Sequence, residues 1–290
     1  MEIEPLAFES LGVRSMATFV RTSDVTIGID LAASLAPNRF GLPPHRLEEE
    51  VLSSLTSKIK ERASKAQVLV VTHYHYDHVD PEQPDLFRDK LVLLKNPRRM
   101  INPSQRKRAA SFLRDIRGIA EDVRYSDGKS YIFGDTAISF SRPVPHGSTA
   151  SRGYVVEVCV REDEAFLYSS DVNGPALPEH IDFILEERPR ILFLDGPTTY
   201  IDTGFVDIEV KGAVENLKRI MEETEVEQIV LDHHLLRDLG YERHISAARE
   251  LGEELGIGIG SAAEFLNVEP TLLEARRKEL YEKDGQQDVI

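Results

Sequence analysis

The heptapeptide T-H-Y-H-Y-D-H at residues 72–78 constrains this chain more than any other feature of its sequence. It follows an apolar run rich in β-branched residues, Q-V-L-V-V, which predicts a buried strand. Alternate side chains of an extended segment point the same way, so His73 and His75 can bind one metal ion from the end of that strand. The chain then turns, and Asp77 and His78 can face a neighbouring position. The spacing predicts one segment that supplies ligands to two adjacent ions, and this ligand chemistry suits zinc, iron or manganese better than calcium.

Short apolar runs separated by turn residues continue along the chain. They predict an α/β protein with β-hairpin sections rather than a strict alternation of strand and helix. The predicted helices are 47–66, 105–116, 212–223, 246–255 and the charged C-terminal segment 271–284. The predicted strands are 25–31, 67–72, 91–94, 191–194 and 228–231, with one hairpin from 131–133 and 137–140 and another from 154–160 and 165–169.

Composition excludes several other classes of protein. The 290 residues include one cysteine, so neither an internal disulfide nor a cysteine-based zinc site can form, and Cys159 is expected to be buried and inert. The formal net charge of −15 argues against a protein whose whole surface binds nucleic acid, although it is compatible with a local basic groove. The N-terminus M-E-I-E-P-L lacks a signal-peptide pattern, and no stretch approaches the roughly 20 apolar residues of a membrane span. We therefore expect a cytoplasmic protein that binds no membrane.

The hexapeptide H-Y-H-Y-D-H matches the signature H-x-H-x-D-H, and through it the chain resembles the metallo-β-lactamase superfamily. The other motifs of that superfamily occur in the expected order: Asp30 in T-I-G-I-D, His146 in R-P-V-P-H-G, Asp171 in L-Y-S-S-D and His233 in I-V-L-D-H-H. The motifs P-H-G, Y-S-S-D and D-H-H also resemble an uncharacterised archaeal-type group of the superfamily. The resemblance implies one domain over 1–290, built as a four-layer αββα sandwich of two mixed β-sheets flanked by helices, with a charged C-terminal helix and tail at 271–290.

The resemblance also implies which residues would bind each of two divalent ions, with zinc favoured and iron or manganese as alternatives. Three histidines would bind one ion, one aspartate and two histidines would bind the other, and a second aspartate would bridge them: His73, His75 and His146; Asp77, His78 and His233; and Asp171. Asp30 would lie behind the ligands and orient one of them, or the turn after the signature.

The doublet His233–His234 leaves the last ligand open. A histidine directly follows the late strand V-L-D, as His73 directly follows V-V-T, and this favours His233. His234 would then point the other way and would be structural or an alternative ligand. The triplet D-H-H also occurs in the D-H-H phosphoesterases, but those proteins need earlier aspartates after other strands, and here the histidine cluster comes first.

The expected mechanism is hydrolysis. Two ions about 3.5–4 Å apart can share a water, lower its pKa toward neutrality and polarise a carbonyl or phosphoryl oxygen. The resulting hydroxide would be the nucleophile, and Asp77 is the best candidate to accept a proton because its carboxylate would lie beside it. The proton donor to the leaving group stays open between His234, Tyr74 and a water.

Two segments bear on the substrate. The run K-N-P-R-R-M-I-N-P-S-Q-R-K-R at 95–108 has six basic residues and no acidic one, and could present three side chains to a phosphate: Lys95, Arg98 and Arg99. A solvated basic surface is the alternative interpretation of this run. The hydroxyl-rich loop 146–153 could place Arg152 near the substrate.

Three functions stay open from the sequence. A phosphodiesterase, with nucleic acid among its substrates, is favoured by the basic run. A hydrolase of thioesters, lactones or other small acyl substrates is the alternative. A non-catalytic metal-dependent binding protein is disfavoured because every ligand position is filled. The sequence does not predict the oligomeric state.

Overall fold

Two β-sheets lie face to face, and helices cover the outer face of each. The structure is a computed structural model and describes residues 1–201 and 206–287. Between the sheets, side chains such as Val70 and Val230 form one apolar core. Their neighbours along the same strands, such as Leu69 and Ile229, point outward and pack under the helices. The central strands are apolar on both faces because each sheet packs against the other sheet on one face and against helices on the other.

The first sheet has six strands, which lie side by side in chain order. They are β1 (Glu2–Phe8), β2 (Met16–Arg21), β3 (Thr26–Ile29), β4 (Val68–Val71), β5 (Leu91–Leu94) and β6 (Asp122–Tyr125). The pairs β1–β2 and β2–β3 are antiparallel, and the pairs from β3 to β6 are parallel. Strand β6 is therefore at one edge of this mixed sheet.

The second sheet has seven strands, and a separate two-stranded pair lies between its members in sequence. The strands are β7 (Ser130–Phe133), β8 (Thr136–Phe140), β9 (Val144–Pro145), β10 (Tyr154–Val155), β11 (Val158–Arg161), β12 (Ala165–Tyr168), β13 (Ile191–Asp195), β14 (Gln228–Asp232) and β15 (Gly258–Gly260). The spatial order is β15-β14-β13-β12-β11-β8-β7, and β9 pairs only with β10. Strands β12 to β15 are parallel to one another.

Within the described ranges, seven α-helices complete the four layers. They are α1 (Arg46–Lys65), α2 (Pro103–Asp115), α3 (Asp182–Glu187), α4 (Val206–Glu223), α5 (Glu242–Leu255), α6 (Ala262–Phe265) and α7 (Arg277–Gln287). Helices α1 and α2 pack on the first sheet, and α4 and α5 pack on the second. The predicted four-layer αββα sandwich of two mixed β-sheets flanked by helices is confirmed.

Several predicted boundaries differ from the structure. The hairpin predicted from 154 begins at β11, because Tyr154–Val155 pairs with β9 instead. The C-terminal helix begins at Arg277 rather than at residue 271. Strands β1, β2, β6 and β15 were not predicted. Cys159 is fully buried, and burial raises the pKa of its thiol. No helix in the described part of the chain is long and apolar enough to cross a membrane.

Three strands end in a left-handed turn beside the predicted ligands. Asp30 after β3, Ser170 after β12 and His233 after β14 have φ angles of 48°, 58° and 60°. Residues other than glycine adopt this region rarely, and such strain is concentrated at functional sites. The turns redirect the chain at the ends of strands from both sheets, and this brings their side chains together.

Candidate metal centre

The buried carboxylate of Asp171 lies at the centre of the predicted ligands. Its Oδ2 is 3.5 Å from Nε2 of His73 and 3.4 Å from Nε2 of His146. Its Oδ1 is 2.8 Å from Nε2 of His78 and 3.2 Å from Nε2 of His233. The two oxygens therefore face different groups of histidines, as a bridging ligand would.

The first group of donors consists of His73, His75, His146 and Asp171, whose donor atoms all lie within 4.8 Å of one another. Nε2 of His146 is 3.2 Å from Nδ1 of His75. His73 and His75 therefore both face this group, as the alternation of side chains after β4 predicts.

The second group consists of Asp77, His78, Asp171 and His233, again with donor atoms within 4.8 Å of one another. Nε2 of His233 is 3.9 Å from Oδ2 of Asp77. The turn after the signature thus carries Asp77 and His78 away from the first group. All seven predicted ligands take part in one group or the other.

The donors fit divalent metal ions. Four ligands about 2.1 Å from a tetrahedral ion lie about 3.4 Å from one another. The separations around Asp171 Oδ2 are 3.5 and 3.4 Å. Nε2 of His73, Nε2 of His78 and Oδ1 of Asp171 are buried, and none of them makes a hydrogen bond of normal geometry with the described residues, although Nε2 of His78 and Oδ1 of Asp171 are 2.8 Å apart. Buried polar atoms are normally satisfied, so these converging atoms point to a cation between them.

Electrostatics around the donors follow from burial and close charges. Burial and the neighbouring His146 together lower the pKa of His75 to about 3, so the ring is neutral as a ligand must be. Burial also opposes a charge on His78, but the carboxylates of Asp171 and Asp30 raise its pKa to about 10. The same anionic surroundings would favour a metal cation.

Asp30 supports the ligands from behind. Its Oδ2 is 2.8 Å from Nδ1 of His78, and it accepts hydrogen bonds from the hydroxyls of Thr72 at 2.5 Å and Tyr168 at 3.0 Å. Its Oδ1 accepts a hydrogen bond from the backbone N–H of Thr72 at 2.8 Å. This network leaves Nε2 of His78 facing Asp171, and Asp30 lies behind this candidate ligand.

Glu9 supports His233 in a similar way and was missed by the sequence analysis. Oε2 of Glu9 is 2.7 Å from Nδ1 of His233, and Oε1 accepts a hydrogen bond from Nε of Arg237 at 2.5 Å. Glu9 follows β1 in the tripeptide E-S-L, a segment with no distinctive pattern. Only the tertiary contact identifies it.

Geometry distinguishes the two histidines of the doublet, His233 and His234. His233 belongs to the second group of donors, and His234 belongs to neither group. Nδ1 of His234 is 3.0 Å from the carboxylate of Asp195, and its ring centroid is 6.0 Å from that of His146. Burial raises the pKa of Asp195 to about 8 and lowers the pKa of His234, so burial disfavours the charged form of both side chains. Asp195 ends an apolar strand in L-F-L-D, the same signal that identified Asp30, and could have been found.

A cavity of about 250 Å³ lies beside the first group of donors. It is lined by His146, by the loop that follows it, including Arg152, and by Asn173 and Glu209. The hydroxyl of Ser148 in this loop donates a hydrogen bond to Glu209. Arg152 therefore lines a cavity that also contains the candidate ligand His146.

Gln105 connects this loop to a ligand and was not predicted. Its Nε2 donates a hydrogen bond of 2.8 Å to the carbonyl of Arg152 and is 3.4 Å from Nε2 of His75. Gln105 is fully buried in the first turns of α2. The N-terminal end of α2 is thus in contact with the metal centre.

The three basic residues predicted to contact phosphate do not lie together. Lys95 is fully buried, with Nζ donating to the carbonyl of Arg99 at 3.0 Å and lying 3.5 Å from Oδ2 of Asp127. It stabilises the loop after β5, so the predicted contact with substrate is not supported for Lys95. Arg98 and Arg99 are exposed, and Arg98 lines a second and larger cavity.

The sequence has close relatives among archaeal proteins. A UPF0282 protein of Metallosphaera sedula is 47% identical over 98% of this chain and 94% of its own length. A UPF0282 protein of Korarchaeum cryptofilum is 45% identical over 97% of this chain and 95% of its own length. The chain belongs to the UPF0282 family. The archaeal group that the motifs resembled is thereby confirmed, and no protein-family model matches the chain.

Solved structures show the fold of this UPF0282 chain. A possible metal-dependent hydrolase from Veillonella parvula is similar with a TM-score of 0.54 and 13% identity, over 86% of this chain and 94% of that one. Yeast PDE1 has a TM-score of 0.52 and 11% identity, over 89% and 96% of the two chains. CmlA, a diiron beta-hydroxylase from Streptomyces venezuelae, has a TM-score of 0.54 and 14% identity, over 89% and 52%. At these identities the likeness concerns the fold alone.

Proposed function

We propose that this chain is a metal-dependent hydrolase that cleaves phosphodiesters at a dinuclear centre, with zinc as the metal. The observation that carries the proposal is the position of Asp171, whose two oxygens face two separate groups of buried ligand atoms. The buried Nε2 atoms of His73 and His78 support it, because neither makes a hydrogen bond of normal geometry with the described residues. The Veillonella parvula protein of the same fold, described as a possible metal-dependent hydrolase, agrees with this activity.

The assignment of ligands follows the two groups. His73, His75 and His146 would hold one ion, Asp77, His78 and His233 the other, and Asp171 both. Two such ions lower the pKa of a water and stabilise the charge that develops on a carbonyl or phosphoryl oxygen.

The chain supplies the remaining functions from its own side chains. Asp77 is partly exposed beside the centre, and His78 and His233 lower its pKa against the effect of burial, so its carboxylate is ionised and can accept a proton or a hydrogen bond from the attacking water. His234, oriented through Nδ1 by Asp195, can offer Nε2 to the leaving group. Arg152 lies at the cavity beside His146, where its guanidinium can bind a phosphate oxygen.

The choice of phosphodiester over an acyl substrate rests on cationic groups near the cavity. Arg152 lines it, and Arg108 donates a hydrogen bond to the carbonyl of Tyr74 within the signature and lies over the ring of Tyr76. A thioester or lactone needs no such cations. The acyl hydrolase stays the alternative that the experiment must separate.

The test combines metal analysis with a hydrolysis screen. We expect about two ions per chain by mass spectrometry after reconstitution with zinc, manganese or iron, and cleavage of bis-p-nitrophenyl phosphate but not of thioesters or lactones. His75→Ala should abolish activity and lose metal. His244→Ala, a partly exposed histidine on α5, is the matched control and should behave as wild type. Fewer than one ion per chain would refute the dinuclear centre, and cleavage of thioesters alone would refute the substrate class.

A further inference from the structure

A cavity of about 800 Å³ forms a groove between α2 and the edge strand β6. Four arginines line it: Arg98, Arg106, Arg114 and Arg117. All four are exposed, and we call this surface the arginine groove. Four basic side chains in one groove stand out in a chain whose formal net charge is −15.

The arginines of the groove are largely free to bind a ligand. None of the described residues forms an ion pair with Arg98, Arg106 or Arg117, whereas many other arginines of the chain, such as Arg62 and Arg277, are paired with glutamates. Arg114 is 3.7 Å from Asp115, its neighbour in sequence. The groove also contains Glu121 and Asp122, so its cationic side is the α2 side.

The arginine groove leads toward the metal centre along α2. Arg106 and Arg114 are two helical turns apart, which corresponds to about 12 Å along the helix axis. Gln105, next to Arg106, contacts the ligand His75. On the same helix Arg108 lies 4.5 Å above the ring of Tyr76, a half-exposed residue of the signature.

This arrangement matches the chemistry that binds single strands of nucleic acid. Such proteins combine a cationic groove along the phosphates with aromatic rings on which bases stack. A small phosphodiester would need Arg152 and the centre alone, whereas a row of exposed arginines, three of them without an ion pair to any described residue, suits a ligand with repeated phosphates. The overall negative charge would repel a polyanion elsewhere on the surface.

We propose that the arginine groove binds the phosphodiester backbone of single-stranded nucleic acid and guides it to the metal centre. The binding step stands on the groove alone, and the guidance to the centre rests on the proposed function. Tyr76 then offers a stacking surface for a base at the entrance to the site.

Binding is measured by fluorescence anisotropy with labelled 20-nucleotide oligo-dT and oligo-rU, without added substrate or turnover. We expect dissociation constants of about 1–100 µM at about 50 mM salt, and a slope of log K against log[salt] near −2 to −3 for three or four phosphates. Arg106→Glu/Arg117→Glu should weaken binding about tenfold or more and reduce the slope by about 1.4. Comparing the affinities for oligo-dT and oligo-rU shows whether the groove prefers DNA or RNA.

The control is a pair of charge reversals on the other helical layer, Arg219→Glu/Arg243→Glu, at exposed positions of α4 and α5. It changes the net charge equally and should leave the slope unchanged. The proposal is overturned if wild type binds neither oligonucleotide, or if the groove variant binds them as tightly as wild type does. His75→Ala should still bind both probes. If His75→Ala binds both probes and wild type cleaves no phosphodiester, the proposed hydrolase function is refuted, but the proposal that the groove binds nucleic acid is not.

Discussion

Replacing Asp30 by asparagine tests whether this buried carboxylate orients His78 for metal binding. Four donors converge on its two oxygens: the backbone and hydroxyl of Thr72, the ring of His78 and the hydroxyl of Tyr168. An amide nitrogen cannot accept a hydrogen bond, so at least one of these donors must lose its partner.

The least costly orientation of asparagine turns its nitrogen toward the backbone N–H of Thr72, because the other oxygen serves three donors. A buried donor without a partner costs about 1–3 kcal/mol, and the other three bonds lose the negative charge of their acceptor. We therefore expect the free energy of unfolding to fall by about 3 kcal/mol. Because His78 loses its charged acceptor, the affinity for the second ion should fall about 10–100-fold.

Two assays separate these effects. Urea unfolding of the metal-free protein measures stability, and competition with a chromophoric chelator measures the affinity of each ion. Glu48→Gln is the matched control, since Glu48 is fully buried and accepts hydrogen bonds from Arg277 at 2.7 and 2.8 Å, with no ligand histidine among its partners. It should lose stability and keep metal affinity. Wild-type affinity for both ions in Asp30→Asn, or an equal loss of affinity in Glu48→Gln, would refute the orienting role.

Two further predictions concern other buried residues. Because only His233 belongs to a donor group, His233→Ala should lose one of two ions, whereas His234→Ala should keep both ions. His234→Ala should instead lower kcat about 10²–10⁴-fold. Metal analysis and steady-state kinetics measure both effects, and loss of an ion in His234→Ala would contradict the prediction. Burial and the charge of Asp182 raise the pKa of Glu157 well above 4.5, and neither carboxylate oxygen has a hydrogen-bond partner among the described residues. The folded protein therefore holds a proton that the unfolded chain releases, so wild type should lose stability relative to Glu157→Gln as the pH rises above about 4.5. Urea unfolding at several pH values measures this difference, and one that does not change with pH would show that Glu157 is not protonated in the folded state.

The sequence by itself predicted the candidate ligands that lie close together in the chain or directly follow a strand. The spacing in 72–78 fixes the directions of the four ligands there, because side chains alternate along an extended segment and a turn redirects them. Asp30 and His233 directly follow apolar strands, and Asp171 follows one after Ser169 and Ser170, so order and pattern were enough to find them. The apolar runs likewise predicted most of the strands of both sheets.

Tertiary structure alone decided which distant residues support those ligands. Glu9 contacts His233 across 224 residues of sequence, and Gln105 reaches His75 from a helix whose pattern indicates only an amphipathic surface. Such contacts depend on how two sheets are paired and packed, which no local pattern encodes. The same holds for the basic run. Packing buries Lys95 inside the loop, whereas Arg98 is exposed in a groove that arginines farther along the chain also line. Local chemistry can be predicted from the order of residues, but the partners of a buried charge follow from the packing that buries it.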